Sequence, residues 1–208
     1  MKLSNDNEKG LEKSKVFQKI ILATTSPYRI DAMKFTGIPF EAVGSDVEEK
    51  FEGRPDKPEE LVKQLSKLKA EAVAKNFDDA LVIGFDSVAY FEGRILEKPQ
   101  SYEEAFSRLK MLSGNSHEFY TGITLINTKT NKIKQETVKT KIDFRNLSEE
   151  EIKKYIEEDR YHNKYASGYD PLANRSATFI EKFEGDPHNI LRGIPLATVI
   201  KMIEEAKK

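Results

Sequence analysis

The period of the apolar positions changes along the chain, and each change predicts an element. Lys19-Ile20-Ile21-Leu22-Ala23 has the length and composition of a buried strand. Thr24, Thr25 and Ser26 follow as a hydroxyl-rich turn, and Pro27 stands at a first helical position, opening a helix to about Phe35 that stops at Gly37. Phe40 to Val43 reads as a second strand. After a loop punctuated by Pro55 and Pro58, Leu61, Val62, Leu65, Leu68, Ala72 and Val73 share one helical face. Leu81-Val82-Ile83-Gly84-Phe85 reads as a buried strand with Asp86 at its end, and Tyr90 to Ile95 as a hairpin turning at Glu92-Gly93.

The second half begins with Ser101 and Glu104, spaced as a capping box for a helix ending at Gly114. Long strands at Glu118 to Ile126 and Ile133 to Phe144 flank the polar turn Thr128 to Lys132. Ser148 and Glu151 repeat the box for a helix ending near Arg160. A loop runs from Tyr161 to Ser176, a strand covers Ala177 to Ile180, and a last helix starts near Pro195. No internal repeat or linker interrupts this order, which predicts one α/β unit around a mixed sheet with flanking helices.

Composition narrows the class. Of 208 residues, 38% are apolar and 33% charged, the balance of a folded soluble domain. Residues 1–17 are polar and mixed in charge, without the apolar stretch of a signal peptide, and read as a flexible extension before a domain covering 18–208. No run is long enough to span a membrane, so the expected location is the cytoplasm. A net charge of −1 argues against a partner such as long nucleic acid, which needs a basic face. Without cysteine, thiol chemistry and cysteine–zinc sites are excluded, and His117, His162 and His188 lack a paired ligand spacing.

Five segments can carry chemistry. A helix N-terminus after Thr24-Thr25-Ser26-Pro27 would attract phosphate, with Ser26 adding a hydroxyl and Arg29 a bidentate cation; the plainer alternative is an ordinary cap beside a surface arginine. Asp86 after its apolar strand can hold Mg²⁺ or orient a water, or else cap a turn. Lys98, fixed before Pro99, suits a positioned phosphate ligand, although most lysines are solvated. Lys69 borders the apolar stripe of its helix and could reach from the core edge into a cleft. Asp46-Val47-Glu48-Glu49 can bind a divalent metal or form a solvated acidic turn.

Taken together these blocks resemble the Maf family of nucleotide pyrophosphatases, from Lys19 to Ile203. The opening Ser-x-Ser-Pro-Arg-Arg of that family is matched by Thr24-Thr25-Ser26-Pro27-Tyr28-Arg29, its Gly-Ala-Asp-Thr by Gly84-Phe85-Asp86-Ser87, and its Gly-Lys-Pro by Glu97-Lys98-Pro99. Leu112-Ser113-Gly114, Thr121-Gly122, Glu184-Gly185-Asp186, Asn189 and Gly193-Ile194-Pro195-Leu196 continue the match in order. The resemblance implies two lobes around a deep cleft, as in the fold shared with inosine triphosphate pyrophosphatases. It also implies hydrolysis of a nucleoside triphosphate, its base modified or non-standard, to the monophosphate and pyrophosphate. Asp86, Glu49 and Lys98 take catalytic positions. Ser26, Arg29, Lys69, Tyr28 and Ser87 take substrate positions, and Asp86 with Glu49 hold a divalent cation, Mg²⁺ or Mn²⁺. The implied partner is the triphosphate itself, with a possible homodimer. The other reading is a catalytically silent nucleotide-binding regulator of cell division.

The chain departs from the family where Lys164-Tyr165-Ala166-Ser167-Gly168-Tyr169-Asp170-Pro171-Leu172 replaces Lys-Ala-Gly-Ala-Tyr-Gly-Ile-Gln-Gly. The family glutamine has no counterpart, and Gly168-Tyr169-Asp170-Pro171 echoes the inosine triphosphate pyrophosphatases. Tyr28 in place of arginine is similar to the subgroup acting on 7-methyl-GTP, and its ring could stack on a base. Ser87 leans toward the dTTP/UTP group, so the base stays open between these.

Overall fold

The structure is a computed structural model that describes residues 18–159, 165, 167–172 and 174–207. The extension expected over 1–17 lies outside the described residues, as do 160–164 in the expected loop. The elements in chain order are β1 (Lys19–Ala23), α1 (Pro27–Lys34), β2 (Glu41–Val43), α2 (Pro58–Ala74), β3 (Ala80–Phe91), β4 (Arg94–Leu96), α3 (Tyr102–Leu112), β5 (Ser116–Asn127), β6 (Lys132–Phe144), α4 (Glu149–Glu158), β7 (Ile180–Glu184), α5 (Pro187–Arg192) and α6 (Leu196–Ala206).

The sheet is mixed, as expected. Its order is β2-β1-β3-β5-β6-β7, with β4 on β3. β1 runs parallel to both β2 and β3, whereas β3, β5, β6 and β7 pair antiparallel. Leu22, Met33, Ile83, Phe85, Val199 and Met202 form a core where α1 and α6 cover one part of the sheet. A second core joins α3 and α4 to the far halves of β3, β5 and β6 through Leu109, Phe144, Tyr155 and Phe179. The long strands run through both.

α2 lies against the sheet at unusually short range. A Cβ at Gly84 would stand 2.2 Å from the Ser66 carbonyl and 2.7 Å from the Ala70 amide, and one at Gly122 2.2 Å from the Val62 carbonyl. Val62, Ser66 and Ala70 are four residues apart, so they form one helical row set directly on the glycines of β3 and β5. Ser66 fixes this seat through a buried 2.9 Å hydrogen bond to Thr124.

Local signals were accurate where the chemistry is local. Ser148 and Glu151 form the full reciprocal box. Glu92 (φ 46°) and Gly93 (φ 80°) make the left-handed turn of the β3–β4 hairpin. Three expectations need correction. Glu104 leaves the Ser101 box half made, because its carboxylate accepts from Gln100 N at 2.8 Å instead of closing on Ser101. Asp86 is not at a strand end: β5 pairs with β3 throughout, so β3 continues to Phe91. It is β1 that stops, at Ala23 opposite Gly84, which leaves Asp86 just beyond the carboxyl end of a parallel neighbour. Residues 177–180 are not a strand either. Asn174–Thr178 is a 3-10 turn, held by Ser176 Oγ on Asp170 O (2.5 Å) and Thr178 Oγ1 on Arg175 O (2.8 Å), and pairing with β6 starts only at Ile180.

His117 is buried on β5, with Nε2 2.9 Å from the Tyr169 hydroxyl and its ring 4.9 Å from that of Phe144. Burial lowers its pKa to about 4. The folded state therefore resists a proton that the unfolded chain accepts near pH 6.5. Its stabilising contribution is complete above the unfolded pKa and is lost as pH falls toward the folded one. Between pH 7 and 5 the loss should be about 2 kcal/mol. Urea denaturation of wild type and His117→Gln at both pH values should show their stability difference moving by that amount. An identical pH dependence in the two proteins would contradict the assignment.

Candidate active site

The turn into α1, α2, the loop after β2 and the loop after β4 converge on β3 where β1 ends. The first is the turn into α1. Ser26 is its N-cap, but the side chain makes no capping hydrogen bond, and the first turn carries no acidic residue. The first turn thus carries no acidic counter-charge of its own, and the Ser26 hydroxyl is not engaged as a cap.

Arg29, the third residue of α1, is tied down rather than free. Its Nε donates to Gly193 O and its Nη2 to Ser87 Oγ, both at 2.8 Å, and Ser87 Oγ lies 2.7 Å from Thr121 Oγ1. The guanidinium lies over the Phe85 ring at 5.5 Å. Burial lowers its pKa, while Asp86 and Glu49 oppose that shift by favouring the cation. Two of the five donors of the side chain are spent on aiming it. Ser87 acts here as a strut between Arg29 and Thr121.

The second and third segments are α2 and the loop after β2. Lys69 Nζ lies 2.7 Å from Asp86 Oδ1 and 2.7 Å from Glu49 Oε1. Asp86 is 5% exposed, and burial raises its carboxyl pKa, with Lys69 and Arg29 pulling it down. Glu49 extends from an exposed loop. Its partial burial works upward, but the bond and charge of Lys69, then Lys98 and Arg29, carry its pKa below the usual value. Two carboxylates of unlike environment therefore share one ammonium, and the shared position suits a cation.

Lys98 is exposed at the rim. Its loop is held by Arg108 Nη1 on Glu97 O, by Gln100 Nε2 on Lys98 O (2.7 Å) and by an Arg54–Glu97 ion pair of 2.8 Å. Glu48, beside Glu49 in the same acidic turn, is exposed and not among the cleft-lining side chains.

The site is a continuous cleft. An outer part of about 780 Å³ is bordered by Thr25, Ser26, Arg29, Glu49, Lys69 and Lys98. An inner part of about 270 Å³ reaches Asp86, Ser87, Phe119, Asp170 and Ile190. Tyr28 and Tyr165 border both, with hydroxyls 3.3 Å apart and rings edge-on at 6.3 Å. All eight residues to which the family resemblance gives roles line this cleft. Gly193 O, Thr121, Phe119, Tyr165 and Ile190 were not singled out as site residues. Asp186-Pro187 followed by Gly193 could have announced α5: Asp186 caps His188 N and Asn189 N, and Gly193 closes the helix at φ 64°.

Among the described residues no group of three or more His, Cys, Asp or Glu could hold a metal ion by itself. Nor is any helix there long and apolar enough to cross a membrane.

Residues 19–206 match the family described as Maf-like protein. The dTTP/UTP pyrophosphatase of Dictyoglomus thermophilum is 34% identical over 186 residues, spanning 89% of this chain and 95% of that protein. The protein of the same name from Bacillus cereus strain G9842 is 35% identical over 192 residues, 90% of this chain and 95% of that protein. Among solved structures, the Staphylococcus aureus Ham1 protein shares the fold with a TM-score of 0.54 at 15% identity, covering 92% of this chain and 100% of that one.

The charge cluster has a measurable consequence. Lys69→Met would leave Asp86 buried without its direct cation, at a stability cost of about 3 kcal/mol. Lys69→Met combined with Asp86→Asn removes the stranded charge and should recover most of that loss. Equal losses in the single and double variants, read by chemical denaturation, would contradict the pairing.

Proposed function

The chain belongs to the Maf family, and on that premise we propose that it hydrolyses a nucleoside triphosphate at the α–β phosphoanhydride, releasing nucleoside monophosphate and pyrophosphate. The observation that carries this reading is the buried Asp86, held by Lys69 opposite Glu49, in a cleft that Ser26 at the N-terminus of α1 also lines. A polyanion entering the outer cleft would meet Ser26, the first-turn amides of α1, Arg29, Lys69 and Lys98, all suited to phosphate oxygens. Its charge would compete with Glu49 and Asp86 for Lys69.

In the proposed reaction, water attacks the α-phosphorus and the bond to the α–β bridging oxygen breaks. Pyrophosphate leaves with that bond's electron pair, and the water proton passes to the Asp86 carboxylate. Burial raises the carboxyl pKa of Asp86, which favours its taking a proton, while Lys69 and Arg29 pull it down. Lys98 at the rim and Arg29 would offset the charge that gathers on the leaving group.

Asp86 and Glu49 fit a divalent cation, Mg²⁺ or Mn²⁺: both are hard oxygen donors, and they already converge on one positive charge. With two carboxylates from the protein, phosphate oxygens and water would complete its shell. Such an ion would neutralise phosphate charge and improve pyrophosphate as a leaving group. The name of the relatives puts dTTP and UTP in the first panel of substrates. Tyr28, at the mouth of the inner cleft, adds purine triphosphates to it, because its ring offers a stacking face. The relatives named pyrophosphatases favour turnover over a silent nucleotide-binding regulator.

Pyrophosphate should be the primary product across such a panel, with turnover abolished by excess chelator. Asp86→Asn should remain folded, as judged by circular dichroism, and lose at least about a hundredfold in kcat. Orthophosphate as primary product, or near-wild-type turnover by the folded variant, would overturn the proposal.

A further inference from the structure

Glu97 is out of place by charge. It stands beside Lys98 at the rim of a cleft proposed to take a polyanion, where the Gly-Lys-Pro of the family has glycine. A carboxylate there repels phosphate. Its Oε1 lies 2.8 Å from Arg54 Nη1, and neither residue is among those lining the cleft.

The two ends of this pair come from different loops. Arg54 follows Glu49 by five residues in the loop after β2. Phe51 packs that loop against Leu61, Val88 and Tyr120. The chain then turns, with Arg54 N donating to Phe51 O at 3.3 Å and Gly53 at φ 75°, a value that a side chain would resist. The Arg54 side chain is only 26% exposed, and its Nε is buried without a hydrogen-bond partner, so it gives up hydration to hold this position. Glu97 belongs to the loop after β4. Its carbonyl accepts from Arg108 Nη1, and the Lys98 carbonyl accepts from Gln100 Nε2 at 2.7 Å. Glu97 is thus fixed at its backbone, and its side chain reaches across.

Within the sheet, β2 pairs with β1 and β4 with β3, so no strand contact joins the two loops. They nevertheless carry Glu49 and Lys98, which border the outer cleft together. Partial burial works upward on the Glu49 pKa, but Lys69 and then Lys98 lower it, so the Lys98 charge is felt at Glu49.

We infer that Arg54 and Glu97 form a clasp that sets the spacing of Glu49 and Lys98 across the outer cleft. This rests on the pyrophosphatase reading, and it makes both members positioning residues. Glu97 is 56% exposed, and an ion pair so open to water adds little to global stability. Fixing one loop against another needs no more than that. A glycine offers no side chain for such a bridge, so the clasp would be a property of this chain.

Charge and position predict opposite signs for Glu97. By charge alone, Glu97→Gln should improve the hold on a triphosphate and Arg54→Gln should weaken it. By position, both should lower kcat/KM for pyrophosphate release from a panel of UTP, dTTP and GTP. Each loss should be at least about tenfold, since a displacement on the order of 1 Å can cost about a hundredfold. It should fall chiefly on kcat, because Glu49 and Lys98 act on the ion and on leaving-group charge in the proposed reaction. The double variant should be no worse than the weaker single one, because either change opens the clasp. Urea midpoints should stay near wild type. A gain or no change from Glu97→Gln, or losses that multiply in the double variant, would overturn the clasp. A second measurement reads it without turnover. The chain has no cysteine, so Glu52→Cys and Tyr102→Cys can carry spin labels, one on the Arg54 loop and one at the start of α3. The distance distribution between them should broaden on Glu97→Gln, and an unchanged distribution would overturn the clasp as well. A wild type that releases no pyrophosphate from any triphosphate would overturn the reaction assignment instead, and the label distances would still decide the clasp.

Discussion

The arrangement of the site depends on how closely α2 approaches the sheet. Gly84 and Gly122 expose bare backbone on β3 and β5, and the Val62–Ser66–Ala70 row of α2 lies on it. A helix carrying a lysine normally keeps that charge in water. Here the short approach brings Lys69, next to Ala70, down to the level of the strand, and the side chain meets Asp86 two residues beyond Gly84. The apolar stripe of α2 supplies the driving force, through Leu61, Val62, Leu65 and Val73, all essentially fully buried. The glycines supply the permission. Neither alone would place a carboxylate and an ammonium in contact at the edge of the core.

That contact is an electrostatic compromise. Burial disfavours the ionised form of Asp86, and Lys69 and Arg29 restore part of what desolvation removes. Glu49 differs because it comes from an exposed loop and keeps its charge easily. Under the proposed function, a cleft with one reluctant and one willing carboxylate, a fixed guanidinium and a rim lysine would suit a ligand that brings negative charge of its own. Arg29 shows how strictly the arrangement is enforced: Gly193 O from the end of α5 and Ser87 from β3 both aim it. The C-terminal part of the chain thus steadies the first helix.

Much of the fold was legible because its signals are local. The Ser148–Glu151 box, the Glu92-Gly93 turn and the apolar runs of β1 and β3 each depend on neighbouring residues, and the structure bears them out. The candidate residues were legible one by one as types, and as a set only through family resemblance. What stayed hidden is set by pairing across distance. The length of β3 is decided by β5, so an apolar run ending at Phe85 gave the wrong end. The 3-10 turn at 174–178 depends on Ser176 reaching back to the Asp170 carbonyl. The anchor on Arg29 is a backbone oxygen, to which no side-chain pattern points. The seat of α2 was hidden for the same reason, since a glycine inside a strand does not announce which helix will lie on it.

The seat of α2, more than any single charged residue, sets the geometry of the site, and the activity of Gly84→Ala, measured under conditions where the variant is fully folded, tests this. The added methyl would meet the Ser66 carbonyl at 2.2 Å and push α2 outward, at a cost of about 1–3 kcal/mol in stability. Because a displacement on the order of 1 Å at a catalytic contact can cost about a hundredfold, kcat/KM for pyrophosphate release should fall by well over tenfold although Lys69, Asp86 and Glu49 are all present. A folded Gly84→Ala protein with wild-type kcat/KM would contradict the account.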